Sequence, residues 1–147
     1  MKIDRDAWIV LADGRKALIA QNVGTPLEPK LAVRNVLEAE PNPATHEQGT
    51  DRPGRSYDSS GSRRASFSQT DWHEQAEQEF AKRVAGELED LSRTNALERL
   101  VVVAAPRSLA YLRSSLSPSV KDRTVGEIDK DLTNHPVAEV ERILAGL

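Results

Sequence analysis

The pattern of apolar and polar positions divides the chain into three stretches. Trp8 to Ala12 is an apolar run of strand formers, Asp13-Gly14 interrupts it, and Arg15 to Gln21 resumes with Ala17, Leu18 and Ile19. Asp-Gly between two such runs is a strong hairpin signal. It predicts a type I′ turn, which needs positive φ at both central positions. A second turn is expected at Gly24-Thr25-Pro26. From Leu27 to Glu38, Leu31, Val33, Asn35 and Leu37 alternate with Ala32, Arg34 and Val36, which predicts a third strand. The first third reads as an antiparallel meander.

The pattern then fades. Of the 31 positions from Glu40 to Thr70, 15 are Gly, Pro, Ser or Thr, and apolar anchors are almost absent. Such a stretch supplies no core of its own, so a flexible loop is expected over about residues 40–69. Thr70 or Asp71 is then expected to cap a helix, with Asp71 and Glu74 at capping-box spacing. Trp72, Ala76, Phe80, Val84, Leu88 and Leu91 recur at helical spacing and predict a helix over 71–92. Trp72 and Phe80 are expected to pack on the sheet, near Val102. The opposite face is acidic, with Glu74, Glu77, Glu79, Glu87, Glu89 and Asp90.

The last third alternates strand and helix. Leu100 to Ala105 is apolar throughout, the mark of a central strand. Pro106 opens a helix where its missing N–H costs nothing, with Leu109, Leu112 and Leu116 inward. A short strand is expected around Arg123 to Ile128. Pro136 opens a last helix with Val137, Val140, Ile143 and Leu144 facing in. The order β-β-β-α-β-α-β-α predicts one α/β domain: a mixed five-stranded sheet with flanking helices.

Composition narrows the chemistry. The 147 residues carry 20 Lys+Arg against 23 Asp+Glu, a formal net charge of -3, so wholesale nucleic-acid binding is disfavoured and only a local basic patch is open. With no cysteine there is no disulfide, thiolate metal site or Cys nucleophile. The opening apolar run is too short for a signal peptide or a membrane span, so a cytoplasmic location is expected. His46, His73 and His135 have no partner at zinc-type spacing and read as exposed or capping residues. Asp4, Asp6 and Asp13 read as turn and surface residues rather than as acids of a two-metal site. No P-loop and no Gly-x-Ser-x-Gly elbow is present, so neither cofactor nor metal is expected.

One polar feature stands out. Between Asp51 and Arg64, the four arginines Arg52, Arg55, Arg63 and Arg64 oppose only Asp51 and Asp58, with Tyr57 among them and Phe67 beyond. Arginines pair phosphates bidentately and aromatic rings stack on bases, so Arg52, Arg55, Tyr57, Arg63 and Arg64 form a candidate RNA-binding set. The bland reading is a loop kept soluble by its charges.

Several segments together resemble a known family. Trp8 to Gly14, Asp51 to Asp58, Asp71-Trp72-His73-Glu74, Arg99 to Arg107, and Lys130-Asp131-Leu132-Thr133 followed by Pro136 resemble the bacterial host attachment family. The resemblance runs from about residue 5 to 147. That family is similar to the middle domain of archaeal and eukaryotic peptide-chain release factors, which implies an RNase H-like sheet. In release factors a Gly-Gly-Gln loop precedes the long helix. Here the corresponding region is Ser60 to Ala65, where Gly61 echoes the motif but no Gly-Gly-Gln occurs. Three readings follow: a non-catalytic release-factor-like module binding ribosome or RNA, a host-cell attachment or protein-interaction factor, and a hydrolase with an unrecognised site. An open edge strand after the meander also allows a homodimer.

Overall fold

The computed structural model describes residues 1–39 and 59–147, with the side chains of residues 1–39 and 72–147. The elements in chain order are β1 (Trp8–Ala12), β2 (Lys16–Asn22), β3 (Leu31–Glu38), α1 (Ser59–Arg93), β4 (Leu100–Ala104), α2 (Pro106–Ser115), α3 (Pro118–Arg123), β5 (Thr124–Ile128) and α4 (Val137–Ala145). The five strands form one mixed sheet in the order β3-β2-β1-β4-β5. β1 pairs antiparallel with β2, and β2 with β3, while β1, β4 and β5 run parallel. This arrangement is consistent with the RNase H-like sheet that the resemblance implies.

Burial explains the order. Every residue of β1 and β4 is buried, as befits strands covered on both faces. On one face Trp8, Val10, Ile19 and Val102 meet Phe80, Val84 and Leu88 of α1 and Leu109 and Leu112 of α2. On the other, Ile9, Leu11, Val101 and Val103 meet Ile3, Leu132, and Val140 and Leu144 of α4. Asn22 is fully buried at the end of β2. Its amide donates to the Ile3 carbonyl at 2.8 Å, and its oxygen accepts from the Gly24 and Lys30 N–H groups at 2.9 Å. It thereby joins the N-terminal segment to the β2–β3 turn, and its buried polar atoms are satisfied.

Several expectations change. The β1–β2 hairpin is present, but none of Asp13, Gly14 and Arg15 takes positive φ, so the turn is not type I′. Instead the Asp13 carboxylate accepts from the Arg15 and Lys16 N–H groups at 2.8 and 2.7 Å, an aspartate-stabilised turn. β3 begins at Leu31 rather than Leu27. The long helix begins at Ser59, so residues 59–69, expected as loop, are helical, and Thr70 and Asp71 are interior rather than capping. Arg63, Arg64, Ala65 and Gln69 are strong helix formers, and serine inside a helix costs only a fraction of a kcal/mol, roughly 0.5 relative to alanine. The remainder of the expected loop, 40–58, lies outside the described residues.

α1 ends at Arg93, one residue beyond the expected end: Asn95 takes φ 62, the left-handed conformation that closes a helix, and the Ala96 and Leu97 N–H groups return to the Leu91 carbonyl. α3 was not foreseen. Its Ser117 cap accepts from the Val120 N–H at 3.2 Å, and Pro118 opens it. Val137, expected inward, is 36% exposed at the first turn of α4.

Candidate functional site

The parallel strands β1, β4 and β5 end at the same edge of the sheet. In open α/β sheets, ligands bind outside the carboxyl ends of the strands. Asp13 and Gly14 follow β1, Pro106 and Arg107 follow β4, and Asp129 to Thr133 follow β5. The first turns of α1 with described side chains bring Glu74 and Glu77 to the same place.

Two polar groups organise this edge. In the first, the Thr133 hydroxyl lies 2.9 Å from an Asp13 carboxylate oxygen and 2.8 Å from one of Asp131. One hydroxyl proton serves one of these carboxylates at a time. Thr133 is 2% exposed, so its hydroxyl is a structural link rather than an accessible nucleophile. In the second, Arg107 pairs with Glu74 at 3.1 Å and Glu77 at 3.4 Å, and its Nε donates to the Tyr111 hydroxyl at 3.4 Å. The bond to Tyr111 comes first among the causes that raise the Arg107 pKa, followed by the charge of Glu77, so the guanidinium stays charged. A side chain at Gly14 would collide with Glu77, which shows how closely the β1–β2 turn approaches α1. Trp72, placed by sequence against the sheet, is instead 38% exposed one turn before Glu77.

Farther along the β5 edge is a cleft of about 430 Å³, lined by Arg113 of α2 and Leu116 just after it, Lys121 of α3, and Val125 and Glu127 of β5. The Arg113–Glu127 ion pair, at 2.6 Å, crosses it. The hydrogen bond to Glu127, then its charge, raises the Arg113 pKa.

The sequence-derived RNA set divides. Arg52, Arg55 and Tyr57 lie outside the described residues, as does His46. Gly61, Arg63 and Arg64 fall in the opening turns of α1, whose backbone alone is described. The described part of this edge carries Asp13, Asp129 and Asp131 on its loops, and Glu74 and Glu77 of α1 beside Arg107. Among the described residues no cluster of His, Asp and Glu has the geometry to hold a metal ion, and no helix is long and apolar enough to cross a membrane. The Asp13–Thr133–Asp131 link was missed by sequence reading, because Asp13 was already accounted for by its turn. The only available signal was that Asp13-Gly14, Trp72-His73-Glu74, Pro106-Arg107 and Lys130 to Thr133 all belong to the segments that carry the family resemblance.

The fold and this edge define a single-domain α/β protein whose polar cluster gathers at the carboxyl ends of three parallel strands. The chain belongs to the family described as "Protein required for attachment to host cells", which matches residues 8–144. Membership ties it to a role related to host attachment. No curated protein matches the chain.

Proposed function

We propose that the chain is a non-catalytic interaction module serving host attachment, which presents the carboxyl edge of its sheet to a protein partner. One observation carries this reading. Four segments scattered along the chain meet at that edge: the Thr133 hydroxyl bridges Asp13 and Asp131, and Arg107 pairs with Glu74 and Glu77. Arg107 and its two glutamates offer a partner a surface of mixed charge. Exposed Trp72 beside them is the residue type that most often dominates protein interfaces, and Arg107 is another. The test compares adhesion of cells carrying the parent chain with cells carrying Trp72→Ala and Arg107→Ala. Reduced adhesion by a protein that still folds supports the reading. Unchanged adhesion with both substitutions combined overturns it.

A second reading is contact with ribosome or RNA through Arg52, Arg55, Tyr57, Arg63 and Arg64, in the cytoplasm. It is supported by the early start of α1, which places Arg63 and Arg64 within its first two turns, ahead of Trp72 and the carboxyl edge. Replacing Arg55, Arg63 and Arg64 together by alanine is expected to weaken binding to ribosomal RNA. It also flattens the log–log salt slope by about 0.7 for each lost contact to a single strand. Absence of binding by the parent at low salt removes this reading and leaves the first standing.

A further inference from the structure

β3 is an edge strand, and one irregularity changes which of its residues share a face. Ile19 pairs with Asn35 and Ala20 pairs with Val33, so Arg34 is an extra residue at that step. In an unbroken strand Val33 and Val36 would point to opposite faces. With Arg34 inserted, Leu31, Val33, Val36 and Glu38 lie on the α4 face, and Ala32, Arg34, Asn35 and Leu37 on the α1 face. Contacts agree with this division. Leu31 packs with the α4-side core and Leu37 with the α1-side core. Asn35 reaches Glu87 of α1, and Arg34 reaches Gln21, the partner of Trp8.

The order of faces now reads the same in both directions about the point between Arg34 and Asn35. A second copy of β3 can therefore lie antiparallel beside the first about a two-fold axis perpendicular to the sheet. Leu31 then stands opposite Glu38, Ala32 opposite Leu37, Val33 opposite Val36, and Arg34 opposite Asn35. Each pair joins residues of one face, a match that an unbroken strand cannot give in this register. Val33 and Val36 are 40% and 48% exposed, and with Val23 and Leu27 they make the β2–β3 hairpin the richest site of exposed large hydrophobics among the described residues. Charge is complementary as well. Asn35 donates to Glu87 at 3.4 Å, so the Arg34 that faces Asn35 arrives at a carboxylate of the partner copy, and symmetry repeats the pair.

We propose that β3 is a self-pairing edge and that two copies of this chain join their sheets into one continuous sheet. Bulges and basic residues on edge strands otherwise serve to prevent such pairing, and the test separates the two roles. The full chain is measured by sedimentation over a wide concentration range. The parent is expected to dimerise, and Val36→Glu to lose the dimer while keeping its circular dichroism spectrum. Val125→Glu, on the other edge, is expected to keep the dimer. Because the chain has no cysteine, the double variant Val33→Cys/Val36→Cys reports the register: it is expected to form a reducible cross-linked dimer on oxidation. Arg34→Glu is expected to weaken the dimer and Arg34→Glu/Glu87→Arg to restore it. A parent that is monomeric at every concentration overturns the proposal. So does a dimer indifferent to Val36→Glu, or a cysteine pair that never cross-links.

Discussion

Phe80 and Trp72 occupy one helical stripe, yet Phe80 is 3% exposed in the core and Trp72 is 38% exposed. Spacing alone assigns them the same role. The difference arises because Glu77 already stands against the β1–β2 turn at the carboxyl edge, and Trp72 lies more than a turn farther along α1. Phe80→Ala is therefore expected to cost about 3–5 kcal/mol, from lost burial and the cavity left behind. Trp72→Ala is expected to cost less than about 1 kcal/mol, as for a surface substitution. Denaturant unfolding of both variants checks the pair, and a large loss for Trp72→Ala would place that ring in a core. The same residue-level logic separates Asp13 from its sequence reading. Its turn bonds to Arg15 and Lys16 occupy one carboxylate oxygen and leave the other for Thr133.

At the scale of elements, α1 shows where composition misleads. Serine and threonine mark loops on average, but they do not by themselves terminate a helix as a proline or a left-handed closing residue does. The 35-residue helix runs about 50 Å at 1.5 Å per residue, well beyond a sheet whose strands have at most eight residues. Within it, Gly86 has open space where a Cβ would stand. Gly86→Ala is therefore expected to stabilise the protein by about 1 kcal/mol through helix propensity, raising the denaturation midpoint without changing its slope. A loss of stability would mean that this face of α1 is covered. The turn after β2 behaves differently. A side chain at Gly24 would strike the Glu28 carbonyl, so that glycine answers to close backbone approach.

At the scale of the whole molecule, the Asp13–Thr133–Asp131 link ties the end of β1 to the connection between β5 and α4. Thr133→Val keeps the shape and removes the one hydroxyl proton that Asp13 and Asp131 share, while Asp131 keeps the backbone N–H of residue 133. It is expected to destabilise the fold by about 1–3 kcal/mol, measured by thermal or denaturant unfolding. No change would mean that water replaces the hydroxyl. What the sequence determined by itself was local and periodic: the hairpin at Asp13-Gly14, the twofold-buried strand at Leu100 to Ala104, helices opening at Pro106 and Pro136, and the end of α1 near residue 92. Each depends on neighbouring residues and on backbone preferences that act over a few positions. Tertiary structure alone decided that β1 sits between β2 and β4, that Glu74 and Glu77 of α1 meet Arg107, and that Thr133 lies between two aspartates. It also decided that an extra residue at Arg34 puts Val33 and Val36 on one face. These depend on which strands become neighbours and in what register, and pairing between distant segments leaves no period in the sequence.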